Sequence, residues 1–313
     1  MPLGTFIISF DCEGKWGMAD RITPHHDRFL NEANIERAYA KIVDLLARHD
    51  VPATFAFVMA FTLSATEFSR YSDRLYDVQF QGSNWFRYFR TQITAGNSDG
   101  WFAPRAIDIV RSRPEHEIAC HGFSHLPIGD STVHRFEAVH EIQSAEAVAR
   151  EKGLTLKTFI FPRNLIGHTD LLAAAGYIGY RGRLVHSSGT AARKLSALAE
   201  WNVLARAQPH GLQDNGLQVI PPGNFMNWRR GARKLVPPPV TSLRWYNILK
   251  DAVRRGMVAH IWLHPHNIID GPETFDVLCG IVSMAAQLRD VGELRILTQR
   301  EYCTEAVNRP APT

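Results

Sequence analysis

The 313-residue sequence contains no run of 18 apolar residues, so it offers no candidate transmembrane helix. Its start, MPLGTFIISFDCEGK, lacks a basic leader and a long apolar core, and an acidic pair follows at once. No secretion signal is read there, and cytoplasmic residence is the expectation. Cysteine is scarce: Cys12, Cys120, Cys279 and Cys303 are scattered, with no CxxC. That scatter excludes a zinc-finger pattern and argues against a disulfide frame. An excess of one charge is missing too. The 35 Lys and Arg against 31 Asp and Glu leave +4, without the clustered basic stripe of a nucleic-acid binder. The densest basic stretch, NWRRGARK at 227–234, reads as a solvated loop. Repeats, low-complexity tracts and long linkers are absent, so a single domain over residues 1–313 is expected.

What is present is a rhythm of short apolar runs and amphipathic stretches. Strands are predicted at 5–11, 53–59, 116–122, 157–163, 178–182, 217–222, 258–264 and 294–298. Several are apolar nearly throughout, as buried parallel strands are. Helices are predicted at 32–50, where Ile35, Ile42, Leu45, Leu46 and His49 fall near one face, and at 131–153, 241–256 and 271–292. This alternation predicts an α/β fold, a distorted (β/α) barrel of seven or eight strands, with a doubly wound open sheet as the alternative. Two insertions interrupt it: an aromatic- and Arg-rich segment at about 64–104, and a Pro- and Gly-rich one at about 186–240.

Chemistry-bearing residues gather where the predicted strands end. Asp11 and Glu13 close the first strand, two apart and therefore on one face, with Cys12 on the other. They are either a metal ligand with a base or two solvated carboxylates at a strand-to-loop junction. The strand at 116–122 runs into His121-Gly-Phe-Ser-His125. If the chain turns helical there, the two imidazoles share a face, the usual presentation to one metal. A carboxylate plus two histidines leaves an open coordination position, the pattern of a catalytic metal. The strand at 258–264 ends in HIWLHPHN, where His264 is a candidate proton donor. His260 reads as a buried, hydrogen-bonded core residue, and His266 as either of these. Arg163 and Asn164 end the strand at 157–163; an Arg there holds a carboxylate bidentately or lies on the surface. Cys12 and Cys120 read as core filler, with thiolate ligation the lesser alternative.

Taken in order, SFDCEG, HGFSH, FPRN and WLHPHN resemble the motifs of the polysaccharide deacetylase family (NodB-homology domain, carbohydrate esterase family 4). The resemblance spans residues 5 to 298. It implies the distorted (β/α) barrel of that family, a divalent metal, usually Zn2+, and hydrolysis of an N-acyl group, typically acetyl, from an amino sugar. Carried over by position, it implies Asp11 as general base and Glu13, His121 and His125 as metal ligands. His264 becomes the general acid and Arg163 the partner of Asp11. Three departures stand out. The first motif is Asp-Cys-Glu in place of adjacent aspartates, the Arg follows its proline, and no Asp-x-x-Trp motif is present to set the environment of the acid histidine. Asn164, Trp228 and His266 are the expected substrate-binding residues, since aromatic faces suit sugar rings and amides suit hydroxyls. With no secretion signal read, the expected substrate is a nucleotide- or lipid-linked precursor of a surface polysaccharide such as O-antigen. The alternatives are a deformylase or small cyclic-amide amidohydrolase on the same fold, and a non-catalytic glycan-binding barrel.

Overall fold

The computed structural model describes residues 3–183, 200–229 and 231–307, so residues 186–199 and 230 of the second insertion lie outside the described residues. The architecture follows from β1 (Gly4–Cys12), in which all nine residues are buried. A strand with no polar face must be covered on both sides and paired on both edges. β1 pairs in parallel with β2 (Thr54–Phe57) on one edge and β11 (Val258–Leu263) on the other; its first residues, Gly4 to Phe6, also meet β12 (Leu294–Ile296). Beyond β2 the sheet continues in parallel through β5 (Glu117–Cys120), β6 (Thr158–Phe159), β7 (Gly179–Arg181) and β9 (Leu217–Ile220), and ends on the antiparallel β8 (Gln213–Asp214). Each of the eight strands predicted from sequence is present at its expected place.

The two ends of this sheet are joined by the chain itself. β9 runs through Pro221, Pro222 and Gly223 into β10 (Asn224–Phe225), which pairs with β11. One bent segment therefore meets β7 at its start and β11 at its end. The path β1, β2, β5, β6, β7, β9–β10, β11 makes a distorted ring of seven strands, with β12 as an eighth outside it. The paired prolines cannot donate to a ladder, which is why pairing lapses at the bend. Gly223 takes φ 71°, and a Cβ there would lie 2.6 Å from the His260 carbonyl oxygen, so only glycine passes. His260 secures the crossing: its Nδ1 lies 2.6 Å from the Pro221 carbonyl and its Nε2 2.9 Å from Ser9 Oγ. It is the satisfied core histidine read from the sequence.

Helices cover the outer face. α1 (Pro24–Phe29) and α2 (Glu32–Arg48) follow β1, and Asn31 caps α2 by accepting from the Asn34 backbone N–H. Ile35, Tyr39, Ile42, Leu45 and Leu46 face inward as the periodicity predicts, while His49 is the C-cap. α5 (Pro104–Arg111), α6 (Arg135–Glu151), α7 (Thr169–Ala174), α8 (Pro238–Arg255), α9 (Pro272–Asp290) and α10 (Gln299–Val307) complete the layer. The first insertion carries α3 (Ala65–Phe68), the hairpin β3 (Gln79–Phe80)–β4 (Ser83–Asn84) and α4 (Arg87–Thr94). Its aromatics Phe68, Phe89, Trp101 and Phe102 enclose Trp16, with ring centroids 4.5 to 6.5 Å away. The insertion is thus packed onto the turn that directly follows Glu13. Among the described residues, no helix is long and apolar enough to cross a membrane.

Candidate metal centre and active site

Glu13 occupies the middle of the site. Just past the end of β1, it begins the tight turn Gly14–Met18, and its carboxylate rests on Gly17, where a Cβ would come within 1.9 Å of Oε1. Its Oε2 lies 2.8 Å from His125 Nε2 and 3.4 Å from His121 Nε2, and its Oε1 lies 3.2 Å from His264 Nε2. Glu13, His121 and His125 are all buried. Cys12, pointing the other way, is core, as is Cys120.

The two histidines reach this point by a route other than the expected helical turn. The segment after β5 is irregular, and His125 is left-handed at φ 59°. Glu141 on α6 replaces the helix as organiser: its carboxylate accepts from Ser124 N–H (2.7 Å), Ser124 O–H (2.7 Å) and Leu126 N–H (3.2 Å). The rings of His121 and His125 stand edge-on, 4.7 Å apart. Trp85, from the first insertion, lies parallel to His125 with centroids 6.2 Å apart.

The donor set suits a divalent cation. His121 Nδ1 sits 2.7 Å from the Ile160 carbonyl, which leaves Nε2 as the nitrogen that faces the Glu13 carboxylate. A buried carboxylate with two imidazole nitrogens turned towards it is a place for a cation. Burial pushes the His125 imidazole down to about 4 despite the neighbouring Glu13, so it is neutral near pH 7. Burial opposes ionisation of Glu13, but His264, His125 and His121 outweigh it and hold the carboxyl well below its usual range. One carboxylate and two imidazoles form a ligand set of the catalytic-zinc type.

Asp11 stands beside this set as a second ionised carboxylate. Burial raises its proton affinity, and the Arg181 guanidinium, with His121 and His264, more than offsets that and leaves it lowered. The contact is bidentate: Arg181 Nη1 and Nη2 each lie 2.7 Å from one Asp11 oxygen. Arg181 ends β7 and is stacked at 4.5 Å over the Trp262 ring. This corrects the expectation that Arg163 partners Asp11. Pro162 is followed by two left-handed residues, Arg163 (φ 58°) and Asn164 (φ 54°), and this turn sends the Arg163 side chain away from Asp11. It bonds Asp20 Oδ1 (2.5 Å) and the Gly17 carbonyl (3.1 Å) and lies 5.2 Å over Trp85. Asn164 does reach the site, its Oδ1 accepting from Arg181 Nη2 at 3.1 Å. Sequence reasoning missed Arg181, although it ends a recognised strand.

His264, at the end of β11, is partly open, with its side chain 22 % exposed. Asn267 orients it: Oδ1 accepts from the His264 backbone N–H (3.1 Å) and lies 3.3 Å from Nδ1. That amide takes the orienting place for which the sequence showed no Asp-x-x-Trp candidate. His266 stacks on His264 with centroids 4.9 Å apart. Trp228 lies edge-on to His266, and its indole N–H donates to Asp270 (2.9 Å), whose other oxygen is 2.7 Å from His25 Nε2. Trp228 and His266, like His264, are partly exposed.

Searches by sequence match no family model and no curated protein. Solved structures do match. A probable polysaccharide deacetylase from Pseudomonas aeruginosa PAO1 aligns over 99% of this chain and 92% of its own at a TM-score of 0.55, with 12% identity. A putative polysaccharide deacetylase from Mycobacterium smegmatis aligns over 99% and 93% at 0.53, with 13% identity. The chain has the polysaccharide deacetylase fold. An allantoinase, Puue, shares it over 99% of this chain and 92% of its own, with a TM-score of 0.56 and 13% identity. In this deacetylase fold, Asp11, Glu13, His121, Arg181 and His264 all sit at or just past the C-terminal ends of four parallel strands, β1, β5, β7 and β11. That is the end where barrel enzymes carry their chemistry.

Proposed function

We propose that this chain is a metal-dependent hydrolase that removes an N-acyl group, chiefly acetyl, from an amino sugar. The observation that carries the reading is a buried carboxylate with two imidazoles, Glu13, His121 and His125, beside a second carboxylate, Asp11, that a bidentate Arg181 keeps ionised. A binding module has no use for that combination. Glu13, His121 and His125 would hold the cation, and zinc suits their ligand types. When bound, such an ion lowers the pKa of water and polarises an acyl carbonyl. Asp11 then serves as the base that accepts the water's proton. Arg181 holds it in orientation and keeps it ionised, because Nη1 and Nη2 each donate to one of its oxygens. His264, on the open side and aligned by Asn267, gives a proton to the departing nitrogen, without which an amine does not leave. Asn164, Trp228 and His266 border the space for the sugar. A cytoplasmic, nucleotide- or lipid-linked precursor of a surface polysaccharide is the substrate class we favour.

The test pairs metal analysis with a panel of N-acyl amino sugars. About one divalent ion per chain, lost in His121→Ala and Glu13→Ala, together with acetate release from an N-acetyl sugar, is the expected result. Absence of any bound metal after reconstitution would remove the mechanism. The likeness to an allantoinase structure favours one second reading, hydrolysis of a small cyclic amide. Including cyclic amides and N-formyl sugars in the panel separates the readings by product.

A further inference from the structure

Glu13 has two oxygens, and the ligand set described above uses one. Oε2 faces His121 and His125, while Oε1 faces His264 Nε2 at 3.2 Å. Because His264 Nδ1 is turned to Asn267 Oδ1, its Nε2 is the nitrogen that meets the carboxylate. His266 follows two residues later, with Pro265 between them opening the tight turn Pro265–Ile268. That turn holds the two rings on one side, 25° from parallel and 4.9 Å apart. Glu13, His264 and His266 each offer one donor atom, and these atoms lie within 4.8 Å of one another, the same criterion that Glu13, His121 and His125 satisfy. A carboxylate with two imidazoles on Oε2 and a third, His264, on Oε1, with His266 stacked beside it, is the layout of a bridging ligand, which in two-metal sites holds ions roughly 4 Å apart. The two sides differ in access: His121 and His125 are buried, whereas His264 and His266 are partly exposed.

The geometry points to a second divalent-cation site at Glu13 Oε1, His264 and His266, filled after the first and inhibitory when filled. This rests on the reading of Glu13, His121 and His125 as the first metal site. The second site takes a borderline ion such as Zn2+ or Co2+, matching its imidazole donors. The inhibition follows from the atom involved. An ion held by His264 Nε2 occupies the position from which the proton must reach the departing nitrogen. The enzyme would thus require one equivalent of metal and be switched off by the next. Both His264 and His266 would serve as ligands in that state, and His266 is the one whose loss leaves the first set untouched.

The experiment is Co2+ binding to the apoprotein, followed by equilibrium dialysis and the visible spectrum of the bound ion, with turnover measured on the same samples. Wild type should take up two ions, the second at least tenfold weaker, and turnover should rise with the first and fall with the second. His266→Ala and His266→Gln should keep the tight ion and weaken the second by tenfold or more. The retained tight ion also shows that the variants are folded. One ion in wild type at every concentration, with turnover dependent on it, overturns the second site and leaves the proposed function standing. Two ions with unchanged affinities in the His266 variants overturn it as well. No bound ion at all sinks both readings.

Discussion

Asp11 and Arg181 are each almost wholly buried, with side chains 4% and 1% exposed, so neither has water to fall back on. Removing one partner strands the other's charge, which costs about 3–5 kcal/mol in comparable buried pairs. Arg181→Ala is therefore expected to lower unfolding free energy by about that amount and to abolish turnover. Arg163→Ala, whose ion pair with Asp20 is partly exposed, should cost about 1 kcal/mol or less. Urea denaturation of the two variants side by side checks the assignment, and equal losses would refute it. Removing both charges together, as Asp11→Asn with Arg181→Met, should recover most of the stability and none of the activity. A second prediction concerns Asn267. Asn267→Ala leaves His264 in place without its Nδ1 partner, so kcat should drop about tenfold or more with KM little changed. A rise in KM with kcat unchanged would mean that the amide serves substrate binding instead. Strand-end logic picked out Asp11, Glu13, His121, His125 and His264 from sequence, because two-residue alternation and end placement are local facts. It failed for the arginine because two successive strands, β6 and β7, both end near an Arg. Only the left-handed turn at Arg163 and Asn164 decides which one faces Asp11.

Among the elements, the turn Gly14–Met18 links the first insertion to the metal set. Trp16 is wholly buried among insertion aromatics, and its indole N–H donates to the Trp101 carbonyl at 2.7 Å. Trp16→Ala should cost about 3–5 kcal/mol through the cavity it leaves, and cation affinity should fall with it. Gly17→Ala acts differently. Its added methyl would collide with the Glu13 carboxylate, so metal affinity should be lost with a much smaller change in stability. Dialysis and denaturation on both variants separate the two effects; a Gly17→Ala protein with normal metal content would show that Glu13 has room to yield. The strands were legible because buried parallel strands are apolar on both faces and bounded by polar loops. The His-x-x-x-His segment was not, because the carboxylate that shapes it, Glu141, sits 17 positions beyond Ser124 on another element. Likewise α6 begins at Arg135, where Glu137 bonds the His134 N–H, rather than at the Ser and Thr of 131–132.

For the molecule as a whole, acid should act through buried histidines that are not members of the metal set. Burial pushes His260 down to about 3 and His116 down to about 4, both below the ordinary value of 6.5. Both are thus neutral when folded and take up protons more readily when unfolded. The stability this confers is complete above pH 6.5, and it is lost as pH falls from there towards about 4 and then 3. Each contributes a slope of about 1.4 kcal/mol per pH unit within its window. Denaturation midpoints measured from pH 7 to 4 should decline accordingly, and His116→Gln should flatten the decline. A flat profile in wild type would mean that neither histidine is as protected as its surroundings indicate.

The position of β1 also sets an order of assembly. Its partners β11 and β12 are separated from it by about 250 and 290 residues of chain. During synthesis on a ribosome, the segment bearing Asp11 and Glu13 emerges first and waits for its far edge until residues beyond 258 appear. His264 arrives in the same late stretch. A nascent chain halted before β11 would therefore display an apolar strand edge, a known invitation to aggregation, and would lack its proton donor. Catalytic competence and concealment of that edge should come together, once the stretch from residue 258 onward has emerged.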